Sequence, residues 1–404
     1  MFHNSGTQHT RNTVTLMIIA ADSNIPFITY ACAELGTVLR FDARDASGVR
    51  DAVAQADVVL CRSTLRVDDA LLAGSAVRFV ATATSGTEHI DIAALEARGV
   101  AVASAAGSNA RSVAEWVMTA LFHLALQQRR SPHDLRLGIV GVGHVGTAVL
   151  HLSRAVGMSA LLNDPPRSER GDAPPPGAAG GWQPLEQLLA ASDAITVHTP
   201  LQSEGPHRSA GLLNSGNLSR LARTPMLLNA ARGEVVDMDA VRAFRGSLSA
   251  VALDVFPGEP EVDPDLLALA DVVTPHVAGH SLDGKLLGTQ MVYDALCAFL
   301  GVPPQWRHEQ HLPEDALIEM QAGELRAATP EEQVAEVLLR ACPLLRDDAA
   351  LRAVGALPGV ERARAFGTLR AEYPVRREFH RTRVYASGFD EQALAMLGAL
   401  GFLL

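Results

Sequence analysis

The residues best suited to chemistry in this sequence are widely spaced. They are Gly141, Gly143 and Gly146 in GVGHVG, Asp164 closing SALLND, Arg232 in LLNAARGEVVD, Glu259 in ALDVFPGEP, and His276 and His280 in DVVTPHVAGH. The three glycines form G-x-G-x-x-G directly after the apolar run LGIV and open a helical pattern. In that context the first glycine makes a tight turn, the second lets backbone approach a pyrophosphate, and the third lets helix pack on strand. Asp164, ending the next apolar run, is placed to accept both ribose hydroxyls of an adenosine and to repel a 2′-phosphate. This favours NAD over NADP, although Arg167 nearby could partner a phosphate.

Arg232, Glu259 and His276 each follow an apolar run and precede small, turn-prone residues, the setting in which open α/β sheets bind ligands. Singly, each has an ordinary reading: an ion-paired arginine, a solvated glutamate before proline, a satisfied core histidine. At i and i+4, His276 and His280 could also share a metal. The intervening VAG is turn-like, however, and no third ligand has zinc spacing, so no metal is expected. Three such residues, each in a compact motif and in this order behind a dinucleotide turn, are much harder to dismiss as ordinary.

The elements that must position these groups alternate in type. LMIIA, ADVVLCR (56–62) and VRFVATAT (77–84) read as buried strands, with helical segments around 26–35, 45–55 and 67–73. NARSVAEWVMTALFHLALQQRR (109–130) is a long helix with Asn109 as its N-cap. A second array follows, with strands at 135–140, 159–164, 193–200, 225–231, 248–255 and 271–277. PPRSERGDAPPPGAAGG (165–181) reads as a loop, and VPPQWRHEQHLP as a linker. Alternation of this kind implies parallel sheets with helices on both faces. The expected class is α/β, with two doubly wound Rossmann-like domains and an additional C-terminal α+β domain. The expected boundaries are 15–108 plus 286–304, then 109–285, then 305–404. VTLMIIAA (14–21) is taken as the first strand rather than a signal segment, and residues 1–13 as unstructured.

Composition narrows the classes. With 404 residues and a net charge of −11, nothing global attracts nucleic acid or a membrane surface. No apolar run approaches a membrane span. Lys285 is the single lysine, which leaves no phosphate-loop lysine and almost excludes Schiff-base chemistry. The four cysteines are scattered, without C-x-x-C, as in a reduced cytoplasmic protein.

From about residue 15 to the C-terminus the chain resembles the D-isomer-specific 2-hydroxyacid dehydrogenases. The similar segments are CRSTLRVDDALLAGSAVRFVATATSGTEHID, GIVGVGHVGTAVL, LNDPPRSERGD, HTPLQSEGPHRSAGLLN, LDVFPGEPEVD and TPHVAGHSLDGKLLGT, with LLRDDAALR and PVRREF in the tail. The resemblance implies NAD-dependent oxidation of a small phosphorylated 2-hydroxy acid, with Arg232, Glu259 and His276 catalytic and a homodimer formed through the tail. It implies that Gly141, Gly143, Val145, Gly146, Asp164, Thr199, Ala230, Ala231, Arg232, Asp254 and Gly279 line the cofactor, and that Ser63, Thr84 and His280 face substrate. Four positions depart from the pattern: Ala106 and Ser108 replace Pro and Cys, Ala231 replaces Cys, and His280 replaces a substrate-touching Tyr. With no lysine nearby, Arg62 is the first candidate for the substrate phosphate, ahead of a partner subunit's tail arginine such as Arg346. The alternatives are a family member acting on phosphoglycerate, glycerate or hydroxypyruvate, or a non-enzymatic NAD-sensing corepressor.

Overall fold

Parallel pairing organises every sheet. The computed structural model describes residues 17–325 and 329–404, so the expectation for residues 1–13 lies outside the described residues. The first sheet contains β1 (Met17–Asp22), β2 (Gly36–Phe41), β3 (Val58–Cys61), β4 (Phe79–Thr82) and β5 (Ala101–Ser104), ordered β2-β1-β3-β4-β5. The second contains β6 (Arg136–Val140), β7 (Ser159–Asn163), β8 (Ala178–Trp182), β9 (Ala194–Val197), β10 (Met226–Asn229), β11 (Ala250–Leu253) and β12 (Val272–Val273). Its order, β12-β11-β10-β9-β6-β7-β8, reverses direction between β6 and β9. Such a switch point leaves a crevice at the carboxyl ends of the strands.

By its contacts the chain divides into two compact units. One runs to Ala105 and includes Gly288–Gln310; the other holds Ala106–Leu287 and His311–Leu404. Strands β3, β4, β9, β10 and β11 are buried at every position, because helices cover both faces of a parallel sheet. That is why they read as unbroken apolar runs. β2 and β5, the edges of the first sheet, are mostly half-buried, and β2 lacks such a run.

Three local expectations are corrected. Residues 67–73 form turns, not a helix; Asp68 takes the N–H of Leu71 and pairs with Arg66, a turn chemistry that competes with helix. The stretch 165–181 is not wholly a loop. Asp164 caps a short helix, Pro165–Glu169, and β8 adds the edge strand, anchored where Trp182 Nε1 donates to the Asp172 carbonyl at 2.8 Å. Finally, β12 spans two residues only, since Pro275 has no N–H to give a ladder and His276 has φ +56°. Asn109 does precede the Ala110–Gln127 helix, but its side chain makes no capping bond.

The tail supplies a parallel pair, β13 (Ala316–Gln321) and β14 (Thr382–Ser387), and helices Pro330–Ala341, Leu344–Gly355, Gly359–Ala371 and Glu391–Leu400. Its Val334, Leu338, Phe379 and Leu397 share one apolar cluster with Trp116, Leu121, Ile139 and Leu150 of the seven-stranded layer. All four cysteines are free and buried. No helix among the described residues is long and apolar enough to cross a membrane.

A polar seam runs through that joint. Glu115, buried on the Ala110–Gln127 helix, accepts from Arg111 and from the Phe379 N–H, each at 2.8 Å. Glu378 accepts from Ser281, and His380 brings a third ligand-type atom within 4.8 Å of the two carboxylates. Burial and then the Glu378 charge push Glu115 up to about 8, against Arg111. Burial, with Asp283, pushes Glu378 up to about 7 against Ser281, Arg376 and Arg111. Both values lie above the unfolded carboxylate range, so the native state holds extra protons. Their stabilisation is present below roughly pH 4.5 and is lost as pH rises through 7 to 8. Glu115→Gln, which cannot ionise, is expected to gain about 1–4 kcal/mol on the wild type between pH 6 and 8.5 in denaturant unfolding. Parallel pH curves would contradict this account.

Candidate active site

The Gly-rich turn sits at the switch point. Gly141 has φ +86°, and a Cβ there would meet the His198 carbonyl carbon at 2.8 Å. A Cβ at Gly146 would fall on the Gly141 carbonyl oxygen, so the helix His144–Ala155 packs on the strand only without one. At Gly143, the N-cap, a Cβ would meet nothing within 4 Å. The turn is therefore tight at two glycines and open at the middle one. The first-turn N–H groups of that helix have no intrahelical acceptors and face that opening. Val145 packs its side chain against the core, which leaves its backbone for a ligand.

Asp164 takes the Val142 N–H at 2.8 Å and the Arg167 N–H at 3.1 Å, which ties its carboxylate to the Gly-rich turn. Arg167 donates to the Val142 carbonyl at 2.7 Å and lies over the Trp182 ring, so its guanidinium is engaged locally. Across the switch point, Thr199 Oγ1 and His198 Nδ1 are buried without a hydrogen-bond partner. Burial holds His198 down to about 3, so it is neutral. An orphaned hydroxyl, an open glycine and a helix N-terminus together fit a dinucleotide; among the described residues they are the groups that would hold one.

The next two strand ends carry polar side chains. At the end of β10, buried Asn229 accepts the Ala231 N–H at 3.0 Å and donates to the Arg232 carbonyl at 2.9 Å, fixing the turn through Ala230. Gly233 then packs on the Phe256–Pro257 backbone, so the Arg232 turn abuts the segment that leads to Glu259. Arg232 Nη1 donates to the Ala231 carbonyl at 2.8 Å, and its side chain is half-buried.

Beyond β11, Asp254 is buried at 1% exposure. Its carboxylate accepts from Thr274 Oγ1 at 2.5 Å, Val277 N–H at 2.8 Å and Ala278 N–H at 3.0 Å. Its carbonyl accepts the His276 N–H at 2.7 Å. Burial pushes Asp254 up to about 6, and His276 and these donors limit the rise. Trp116 Nε1 reaches Thr274 Oγ1 at 3.1 Å from the Ala110–Gln127 helix. Held on both sides, the loop turns His276 Nδ1 onto Glu259 Oε2 at 2.6 Å. Glu259 Oε1 accepts the Phe256 N–H at 2.8 Å. Burial would raise the Glu259 carboxyl, but His276, the Phe256 N–H and Arg370 together hold it below the usual range. An ionised Glu259 makes Nδ1 the donor, which leaves Nε2 to accept a proton.

Gly279 lies against Asn109, where a Cβ would strike the amide. His280 packs edge-on to Tyr373, ring centroids 5.8 Å apart. Arg346 pairs with its neighbour Asp347 at 2.7 Å and lies over the Tyr373 ring, so in this chain it is held near His280 through that ring. Ser63, Thr84 and Arg62 belong to the other unit. Ser63 is exposed and Arg62 half-buried in the turn after β3. Thr84 Oγ1 lies 2.7 Å from Thr82 Oγ1 after β4. Sequence reasoning missed Asn229, whose signal was a polar residue closing an apolar strand. It also missed Trp116 and Ser112, which left no local signal because their partners lie more than 150 residues away.

A family profile described as D-isomer specific 2-hydroxyacid dehydrogenase, NAD binding domain, matches residues 101–278. A domain of unknown function, DUF3410, matches 312–401. An erythronate-4-phosphate dehydrogenase of Marinobacter nauticus is 40% identical, over 96% of this chain and 100% of that protein. One from Azotobacter vinelandii is 42% identical, over 95% and 99%. Among solved structures, the TT0316 protein from Thermus thermophilus is 26% identical with a TM-score of 0.60, covering 71% of this chain and 98% of that one.

NAD is the cofactor these matches and the switch-point geometry support. Gly143→Ala should fold, since the added Cβ would meet nothing within 4 Å. It should weaken NAD binding by roughly tenfold or more in a titration, because that space is where backbone approaches the pyrophosphate. Undiminished NAD affinity would move the dinucleotide elsewhere.

Proposed function

The chain belongs to the erythronate-4-phosphate dehydrogenases, within the D-isomer-specific 2-hydroxyacid dehydrogenase family, and from that premise we propose that its substrate is 4-phospho-D-erythronate. It is an NAD-dependent dehydrogenase. The proposed reaction oxidises the C2 alcohol to a ketone, giving (R)-3-hydroxy-2-oxo-4-phosphooxybutanoate, a step toward pyridoxal 5′-phosphate. The observation that carries this reading is the 2.6 Å Glu259–His276 pair beyond the carboxyl ends of the NAD-binding sheet.

Two particles leave the alcohol: a proton from oxygen and a hydride from C2. NAD, when bound, accepts the hydride. His276 Nε2 takes the proton, and the Glu259 carboxylate on Nδ1 fixes the ring and stabilises the imidazolium that forms. Arg232 forks onto the substrate carboxylate and C2 oxygen, which pins the reacting carbon. Asp164 holds the adenosine ribose; Gly141, Gly143, Val145 and Gly146 approach the pyrophosphate; Thr199, Ala230, Ala231 and Gly279 line the nicotinamide side, with buried Asp254 behind them holding the His276 loop. Ser63, Thr84 and His280 bind substrate, and Arg62 takes its phosphate.

We also read residues 305–404 as a dimerisation domain and the chain as a cytoplasmic homodimer. The outward face of β13–β14 supports this, since Leu317 and Tyr385 are each 55% exposed and alternate with Glu319 and Arg383, a self-complementary pattern. Sedimentation should give a dimer, and Leu317→Asp with Tyr385→Asp a folded monomer; an unaltered dimer removes this face from the interface.

Activity is tested by NAD-dependent turnover on a panel of phosphorylated and plain 2-hydroxy acids. 4-Phospho-D-erythronate should be preferred, and His276→Ala should lower kcat by roughly 10²–10⁴. Arg62→Ala should weaken phosphorylated acids more than unphosphorylated ones. Turnover of the plain acids alone, or an undiminished His276→Ala enzyme, would refute the assignment.

A further inference from the structure

The loop that bears His276 is gripped from two directions. Asp254 takes the N–H groups of Val277 and Ala278. The carbonyl of the same Ala278 points the other way and accepts Ser112 Oγ at 2.8 Å and Arg376 Nη2 at 2.5 Å. Ser112 Oγ also contacts Arg376 Nη2, whose second carbonyl acceptor is Ser112 at 3.3 Å. Nη1 rests on Cys342 Sγ at 3.0 Å. The Arg376 carbonyl accepts the Leu282 N–H at 2.9 Å, so one tail residue holds both ends of the segment between His276 and the following helix.

Its two neighbours extend the grip. Arg377 forks onto Asp283 at 2.9–3.2 Å, both side chains nearly buried. Glu378 takes Ser281 Oγ at 2.8 Å and gives its N–H to Asp283 at 2.9 Å. Ala278, Ser281, Leu282 and Asp283 are therefore all tied to the same tail tripeptide.

Arg376 is only 5% exposed, yet it donates to no carboxylate; its acceptors are carbonyls, a hydroxyl and a thiol, and its Nε has no partner. A buried cation served this way is a poor device for stability alone. Its geometry fits a different task, since it fixes the peptide two residues past a histidine in a left-handed conformation, φ +56°. We propose that Arg376 is a positioning residue for the proton transfer, holding the His276 loop so that Nδ1 stays on Glu259 and Nε2 stays on the substrate hydroxyl. The inference rests on His276 acting as the base.

The test is a double-mutant cycle between Arg376→Met and His276→Ala, using whichever acid of the panel is turned over. Alone, Arg376→Met should lower kcat roughly 10–100-fold, because small misplacement of a reacting group costs rates of that order. The KM for the acid should change less than about threefold. Arg376→Lys, which keeps one donor for the Ala278 carbonyl, should recover part of the loss. In the His276→Ala background Arg376→Met should alter the residual kcat by less than about twofold, since there is no base left to position. Equal losses in both backgrounds would overturn the positioning role, as would wild-type kcat in Arg376→Met. Should Arg376→Met fail to fold, Ser112→Ala removes the other donor to the Ala278 carbonyl. It should lower kcat several-fold, again only when His276 is present, and an unchanged kcat would overturn the idea. A His276→Ala enzyme that is not slowed refutes the proposed base itself, which separates that failure from this one.

Discussion

Asp254 ends β11 with its carboxylate out of reach of water, and four donors converge on that residue: one hydroxyl and two N–H groups on the side chain, and the His276 N–H on its carbonyl. A buried carboxylate is tolerated only when its lone pairs are filled. The loop from Thr274 to Ala278 must therefore fold around it. That constraint places a histidine in a conformation histidines seldom adopt and points its ring at Glu259. The same logic recurs one strand away, where Asn229 fills the turn before Arg232. Buried polar side chains at strand ends thus set the backbone, and the backbone aims the groups proposed to react.

This arrangement separates two jobs that a catalytic loop must do. The groups proposed to react, His276 and Arg232, are half-buried. The groups that hold them, Asp254 and Asn229, are almost fully buried, so their own geometry is fixed by packing. Glu259 is intermediate: one oxygen holds the Phe256 N–H, the other the imidazole, so its orientation does not depend on substrate.

Much of this was legible in the sequence because parallel sheets write themselves as apolar runs that stop abruptly. The runs located β3, β4, β6, β7 and β9 to β11, and the polar residues just beyond them marked Arg232, Glu259 and His276. What escaped was of two kinds. Edge strands β2 and β8 are half in solvent and lack the run. Long-range partners are silent in a local reading: Ser112 meets Ala278, Trp116 meets Thr274 and Glu115 meets Phe379 across 158 to 264 positions. Residues 67–73 misled because an apolar spacing suited to a helix is overruled by Asp68, which takes the Leu71 N–H in a turn.

Each compact unit is assembled from two stretches that are not adjacent along the chain, and in each case the second stretch comes late. During synthesis the first sheet emerges long before Gly288–Gln310, whose Val292, Tyr293 and Leu296 complete its apolar cluster. The dinucleotide sheet likewise waits for Val334, Phe379 and Leu397. During synthesis the first unit can therefore close only once Gly288–Gln310 has emerged, and the second only with the tail. The second is sealed last, and a nascent polypeptide that stops short of the last helix leaves apolar surface uncovered in the very layer that binds NAD.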